Sequence, residues 1–133
     1  MRATAFLFFT FFRATVFGAI PEDMNPPEKQ VDGFAMFNDL SKDAATKKAS
    51  EMARADFEKS IYRIFVVGRR PLENAYDDYL KQHYHVLVTP IAGCVVSDGI
   101  IGAEQGYNTT IKPLLNQKFG HDIFKEAEQA TGK

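Results

Sequence analysis

The sequence has only one cysteine, Cys94, and no tryptophan. A single cysteine cannot form an internal disulfide, so a fold held together by disulfides is excluded. The 133 residues are enough to bury a hydrophobic core without that help, and they fit one domain. Neither sign of charge dominates, because 16 Lys and Arg stand against 17 Asp and Glu, a formal charge of −1. This balance excludes a general electrostatic attraction for nucleic acid.

Motifs of known chemistry are also missing from the sequence. It contains no P-loop, no dinucleotide-binding glycine pattern and no His and Cys spacing typical of zinc. It shows no Ser-His-Asp arrangement and no pair of carboxylates with the character of a glycosidase site. We therefore predict no metal and no cofactor, and we favour a binding protein over an enzyme.

The first 20 residues differ in composition from the rest. They hold six of the 12 phenylalanines, and no acidic residue precedes Glu22. Arg2 is followed by an uncharged run over residues 3–12, and the small residues Val16 and Gly18 suit the −3 and −1 positions of a cleavage site. We predict a signal peptide over residues 1–18 and an exported protein, periplasmic or secreted. Removing residues 1–20 leaves 14 basic and 17 acidic residues, a formal charge of −3.

Other interpretations of this N-terminal segment stay open. Uncleaved, residues 3–20 would approach the length of about 20 apolar residues that a membrane anchor needs. Arg13 would then lie in mid-span, at a cost of about 2.5–3.5 kcal/mol. A mitochondrial presequence is also free of acids but is normally amphipathic, and a buried core helix is the purely structural alternative.

The remainder divides into an arm and a domain. Residues 19–38 contain Pro21, Pro26 and Pro27 among charges, which indicates a linker or extended arm. Residues 39–133 then predict a small α/β domain with the element order α-βαβ-α-α. Helical spacing of apolar residues predicts helices over 39–60, 73–83 and 122–130, and another that starts after Ser97 and ends at Gly120. Pro113 predicts a kink or break in that helix.

Two strands enclose the second helix. Residues 61–67 are rich in β-branched and aromatic residues, and residues 86–89 form a shorter run that Pro90 is expected to end. A strand, a helical crossover and a strand predict a parallel pair joined by a right-handed connection. Residues 91–96 are a candidate third strand or an irregular edge. The predicted fold therefore has two or three short strands packed by helices.

A candidate ligand site follows the first strand, at Gly68, Arg69 and Arg70. Open α/β sheets bind ligands outside the carboxyl ends of their strands. Two guanidinium groups beside a glycine turn can hold a phosphate or carboxylate. The alternative is a solvated loop whose arginines pair with nearby acids.

Cys94 and the histidines are weak catalytic candidates. Cys94 precedes a predicted helix by three residues, a position that can lower a thiol pKa, but its neighbours Val95 and Val96 favour a small buried side chain. His85, with His83, would share one face of an extended segment, and His121 lies further along the chain. Nothing in their spacing fixes a metal site, and we expect His83 and His85 to be two partly exposed residues at a helix–strand junction.

Several polar residues interrupt the apolar pattern of the third predicted helix. Glu104, Tyr107 and Asn108 lie among Gly102 and Gly106, small residues that let another backbone approach. If buried, these polar side chains need hydrogen-bond partners. We interpret them as a structural polar cluster, with the lining of a pocket as the alternative.

Three functions remain compatible with these patterns. The favoured one is an exported small domain that binds an unknown protein or small molecule, with no nucleic-acid partner and membrane contact only through residues 3–20 if they are uncleaved. The second is an anion or nucleotide binder using Arg69 and Arg70. The third is a small enzyme or redox protein that depends on Cys94, with His83, His85 or His121 as helper.

Overall fold

The computed structural model describes residues 32–71 and 73–133. A short 3-10 helix, Asp32–Phe37, precedes helix α1 (Lys42–Glu58), strand β1 (Arg63–Val67), helix α2 (Ala75–Tyr84), strand β2 (Leu87–Ala92), helix α3 (Asp98–Phe119) and helix α4 (Ile123–Thr131). These elements form a small mixed domain of helices around a parallel pair of strands, in the predicted order α-βαβ-α-α. The predicted signal peptide, residues 1–18, and most of the arm lie outside the described residues.

Side-chain caps set the beginnings of the helices. Ser41, Asn74, Ser97 and Asp122 each accept a hydrogen bond from a backbone N–H of the first turn that follows. Such a bond satisfies one of the N–H groups that have no partner within the helix. Gly120, with φ of +80°, ends α3 as predicted. The caps start α1 and α2 a few residues later than the apolar pattern alone suggests.

The two strands pair in parallel, as predicted, with Ile64 opposite Val88 and Phe65 opposite Thr89. The prediction that Pro90 ends β2 is wrong, because the strand continues to Ala92. Leu87 N–H donates to the Tyr62 carbonyl, so every second N–H of β2 points toward β1 and the Pro90 nitrogen points away from it. Pro90 therefore removes no hydrogen bond between the strands. Residues 91–92 belong to β2, and residues 93–96 form no third strand.

The predicted break at Pro113 is also wrong, since α3 runs through it without interruption. Pro113 is exposed and so is Thr109, the residue whose carbonyl loses its helical partner. That carbonyl therefore belongs to the exposed face of the helix. On the opposite face Tyr107, Ile111 and Leu115 are fully buried, so packing holds both sides of the proline in the helix.

Small residues bring α1 and α3 into backbone contact. Ala45, Ala49 and Ala53 give α1 a thin buried face. A Cβ atom added to Gly102 would lie 2.3 Å from the Lys42 carbonyl oxygen, and the spacing at Gly106 is equally tight. The two helices therefore pack at a distance that only glycine permits on the α3 side.

The core lies between this helix pair and the sheet. The Phe65 ring stacks on the Tyr107 ring with centroids 3.8 Å apart, and Phe34 meets Phe65 edge-on at 5.0 Å. Phe34 and Phe37 belong to the 3-10 helix and are buried. The folded domain thus includes residues assigned to the predicted arm, 19–38. None of the helices within the described residues has the length and apolar character needed to cross a membrane.

Candidate functional site

A polar cavity of about 510 Å³ lies along β1. Residues of β1 form its floor, and one face of α3 forms one wall. The opposite wall consists of the loop after β1, the start of α2 and the C-terminal end of α4. We call it the β1–α3 cavity. Its lining consists of Ile64, Phe65, Val66, Arg70, Tyr76, Glu104, Asn108, Lys112, Glu128 and Lys133.

The α3 wall is a row of three polar side chains spaced by four residues, Glu104, Asn108 and Lys112. This spacing places them one above another on the same helical face. Asn108 is fixed by two hydrogen bonds to the backbone of Phe65. Glu104 and Lys112 therefore lie on either side of an anchored residue, at different heights along the cavity.

Arg70 is held in place on the opposite wall. Its Nε donates to Asp77 Oδ2 at 3.2 Å, and its Nη2 donates to Asp77 Oδ1. This two-pronged contact fixes the guanidinium plane. The side chain of Arg69 is exposed and is not part of the lining, although Gly68 turns the chain here with φ of +93°. The structure thus separates two neighbouring arginines that the sequence treats alike.

Tyr76 adds a neutral polar group to the same wall. Burial is the main cause that raises its pKa to about 12, and the nearby carboxylates of Glu128 and Asp77 act in the same direction. The hydroxyl therefore remains protonated at neutral pH. The Lys133 ammonium lies 5.1 Å from the centroid of the Tyr76 ring, a favourable cation–π distance.

The predicted polar cluster of Glu104, Tyr107 and Asn108 divides between two roles. Tyr107 points into the core, where its hydroxyl donates to Asp56 Oδ2 at 2.6 Å. The same carboxylate oxygen accepts from Arg63 Nε at 2.9 Å and Nη2 at 2.7 Å. Burial raises the pKa of Tyr107 well above its ordinary value, so this hydroxyl stays a donor. Tyr107 is structural, whereas Glu104 and Asn108 line the cavity.

Sequence reasoning missed the partners of Tyr107, although one signal was present. Asp56 follows Ala49 by seven residues and Ala53 by three, so it lies on the buried face of α1. A carboxylate on such a face needs a cationic or hydrogen-bonding partner. Arg63, seven residues later at the start of β1, is that partner, with side-chain exposures of 22% for Arg63 and 11% for Asp56.

Cys94 is exposed, so the expectation of a buried thiol is wrong. It lies in the loop between β2 and α3 beside Val95, which is 89% exposed. The loop leaves the sheet after Ala92 and projects its apolar side chains outward. Within the described part of the chain, no histidine is hydrogen-bonded to Cys94.

His83 and His85 lie at the junction between α2 and β2, as expected, and not on one extended segment. His83 lies in the last turn of α2, where its ring stacks on Tyr79 at 4.1 Å between centroids. His85 ends the helix in a left-handed conformation, with φ of +56°. His121 lies before α4 and contacts Glu126. Across residues 32–71 and 73–133, no three His, Cys, Asp or Glu side chains come together as metal ligands.

Glu126 is the centre of a second cluster of polar side chains, which lies at the surface and joins α2 to α4. Its Oε1 accepts from the hydroxyls of Tyr79 at 2.6 Å and Tyr84 at 2.7 Å, and its Oε2 lies 2.6 Å from His121 Nε2. The bond from Tyr79, followed by that from Tyr84, lowers the pKa of Glu126. All of its near partners are already engaged, so we assign this group a structural role.

The comparisons with known proteins give no relative. No protein-family model matches the sequence, no curated protein is similar to it, and no solved structure matches it. Among the described residues that line the β1–α3 cavity, the charged side chains are Arg70, Glu104, Lys112, Glu128 and Lys133.

Proposed function

We propose that this chain is an exported binding domain that holds a small molecule with an anionic group in the β1–α3 cavity. The observation that carries this proposal is the position of Arg70. Its guanidinium lines the cavity just past the carboxyl end of β1, and Asp77 fixes it there. Parallel α/β sheets bind their ligands at this end of the strands.

Arg70 has donors left for a ligand. Asp77 uses the Nε hydrogen and one Nη2 hydrogen, so the remaining Nη hydrogens can bind a carboxylate or phosphate oxygen. A guanidinium that is already oriented loses less conformational entropy when it binds. Lys112, on the α3 wall, supplies a second positive charge that is not paired with a carboxylate within the described residues.

The dimensions and charge favour a small molecule over nucleic acid. A volume of about 510 Å³ lies within the range of about 300–1,000 Å³ typical of small-molecule sites. Without residues 1–20 the chain carries a formal charge of −3, which repels a phosphate backbone. The positive charges of the cavity are therefore a local feature of a protein whose net charge is negative.

Calorimetric titration with sodium hexanoate and with inorganic phosphate tests the proposal. We expect at least one of them to bind, and Arg70→Gln to weaken that binding about tenfold or more, the loss expected for a charge-assisted hydrogen bond. Arg69→Gln is the matched control, because Arg69 is adjacent but outside the lining. Thermal melts of both variants confirm that they are folded.

The proposal is overturned if neither hexanoate nor phosphate binds. It is also overturned if Arg70→Gln, folded by its melt, binds as tightly as Arg69→Gln. Lys112→Met provides a second variant that leaves the Arg70–Asp77 pair intact, and we expect it to weaken binding as well.

The export part of the proposal rests on the composition of residues 1–18 and has its own test. N-terminal sequencing of the natively expressed protein, with cell fractionation, should find a mature chain that starts at Ala19 in a soluble exported fraction. An intact Met1 in the membrane fraction would favour the anchor instead, and an intact Met1 in the cytosol would overturn export.

The redox or enzymatic function based on Cys94 remains the second candidate for one reason, the exposure of the thiol. Two of its three candidate histidine helpers are engaged elsewhere, since His83 stacks on Tyr79 and His121 contacts Glu126, whereas His85 ends α2. Exposure of the thiol thus supports this function, and no histidine hydrogen bond to Cys94 within the described residues adds to that support.

A further inference from the structure

The β1–α3 cavity holds negative as well as positive charge. Glu104 and Glu128 line it together with Arg70, Lys112 and Lys133. Within the described residues, the ion pairs are Arg63–Asp56, Arg70–Asp77 and His121–Glu126, so neither glutamate of the cavity has a cationic side chain within 4.0 Å. The lining thus presents two carboxylates that form no ion pair with another described residue.

The directions of β1 and α3 place one of these carboxylates near Arg70. Asn108 of α3 binds Phe65, and the Lys118 ammonium lies 5.6 Å from the ring centroid of Tyr62, the residue before β1. The helix therefore runs antiparallel to the strand. Glu104, one turn before Asn108, lies toward the carboxyl end of β1, where Arg70 follows.

Lys112 lies at the other end of the same wall. It is eight residues from Glu104, about 12 Å along the helix axis. Its ammonium is 5.2 Å from the centroid of the Phe124 ring, at the start of α4. The cavity is therefore charged along its length. Arg70 and Glu104 lie toward one end and the Lys112 ammonium lies at the other, while the Lys133 ammonium lies beside Tyr76.

A purely anionic ligand uses only part of this lining. It gains from Arg70 and is repelled by Glu104, because unpaired like charges in a partly desolvated site oppose each other. A cationic group on the same ligand would turn that repulsion into attraction. The Asn108 side chain between the charged residues is neutral and is anchored on Phe65, so it cannot offset the charge of Glu104.

We infer that the ligand of the β1–α3 cavity is a zwitterion, a small molecule with a carboxylate or phosphate that Arg70 binds and an ammonium group that Glu104 binds. This inference rests on the proposed function, since it names the ligand class of the same cavity. Free amino acids and their ω-amino isomers have this chemistry. The site selects them over simple acids because both charges find a partner.

Four matched probes test the inference by calorimetry. L-Norleucine carries both charges at one end, and 6-aminohexanoate carries them at opposite ends of the same chain. Hexanoate lacks the ammonium group, and n-pentylammonium lacks the carboxylate. We expect one of the two zwitterions to bind about tenfold more tightly than hexanoate, the factor supplied by one additional charge-assisted hydrogen bond.

Variants then locate the ammonium partner. Glu104→Gln keeps the shape of the side chain, and we expect it to abolish the advantage of the zwitterion over hexanoate while hexanoate binds at least as well as before. Glu51→Gln, an exposed acid on α1 outside this cavity, is the matched control. A thermal melt of each variant establishes that it is folded.

The outcomes separate this inference from the proposal beneath it. If hexanoate binds through Arg70 but neither zwitterion binds more tightly, the anion-binding function stands and the zwitterion inference is overturned. If the advantage survives in folded Glu104→Gln, the assignment of Glu104 is overturned. If none of the four probes binds, the inference fails, and the proposed function fails with it when inorganic phosphate does not bind either.

Discussion

Asn108 binds both backbone polar groups of Phe65. Its Oδ1 accepts from the Phe65 N–H at 2.8 Å, and its Nδ2 donates to the Phe65 carbonyl at 2.7 Å. These are the two groups that β1 directs away from β2 at this position, because Ile64 and Val66 direct theirs toward β2. One side chain of α3 thus pairs with the outer edge of β1 and fixes the helix against the strand.

The first prediction concerns this contact. Asn108→Asp keeps an acceptor for the Phe65 N–H but replaces the donor to its carbonyl by a carboxylate oxygen. We expect the free energy of unfolding to fall by about 1–3 kcal/mol, the cost of leaving a buried acceptor unsatisfied. Denaturant unfolding measures it. Gln117→Glu, the same chemical change at an exposed position of α3, should shift stability by no more than about 0.5 kcal/mol. Equal effects in both variants would contradict the role of Asn108.

The second prediction tests the contact between α1 and α3. In an exposed helix, Gly→Ala stabilises by about 1 kcal/mol. At Gly106 a Cβ would lie 2.2 Å from the Thr46 carbonyl oxygen, which is backbone and cannot rotate away. We therefore expect Gly106→Ala to lower the free energy of unfolding by about 3 kcal/mol. Gly93→Ala, where no atom lies within 4 Å of the added Cβ, should be nearly neutral. A stabilised Gly106→Ala variant would show that the helices are further apart.

The third prediction is a pH dependence of stability. Hydrogen bonds from Tyr79 and Tyr84 lower the pKa of Glu126, so the folded state binds its proton less tightly than the unfolded chain. The resulting stability is present above the unfolded pKa of a glutamate and is lost as pH falls through the lower folded pKa, that is, below about pH 5. Urea midpoints between about pH 6 and pH 3 should therefore fall more steeply for the wild type than for Glu126→Gln. Glu51→Gln, exposed on α1, should follow the wild type.

The fourth prediction concerns Cys94. Because its side chain is exposed, an aromatic disulfide reagent should modify one thiol per chain under native conditions, at a rate within a few-fold of that in denaturant. Cys94→Ser should leave the melting temperature unchanged, since the thiol fills no core space. A native rate many times slower than the denatured rate would place the thiol inside the fold and end the Cys94-dependent function.

Local patterns in the sequence were sufficient to predict most of the helices and strands. The β-branched run before Gly68 predicted β1, and alanine spacing predicted α1. The predictions made from Pro90 and Pro113 were wrong for a common reason. The free-energy cost of a proline depends on whether the backbone group near it that has no hydrogen-bond partner faces protein or water. The fold, and not the local sequence, decides this. The capping residues Ser97 and Gly120 were recognisable because they act within one turn of the chain.

The cavity was less accessible to sequence reasoning. Arg69 and Arg70 are adjacent, and nothing local indicates which of them lines the cavity; the contact of Arg70 with Asp77 decides it. Glu104 and Asn108 were recognised as polar residues needing partners, but the helical pattern could not say that Phe65, 43 residues away, is one of them. Lys112 and Glu128 carried no signal, since charged residues on helix surfaces are ordinary.

The position of Pro90 bears on how the protein behaves at high concentration. The outer edge of β2 is where another chain would pair to build an intermolecular sheet, and Pro90 offers no N–H there. The other edge is occupied at Phe65 by Asn108. A two-stranded sheet with both edges obstructed is a poor template for fibril growth. The proline that sequence reasoning took for the end of a strand therefore protects the folded protein from aggregation through its sheet.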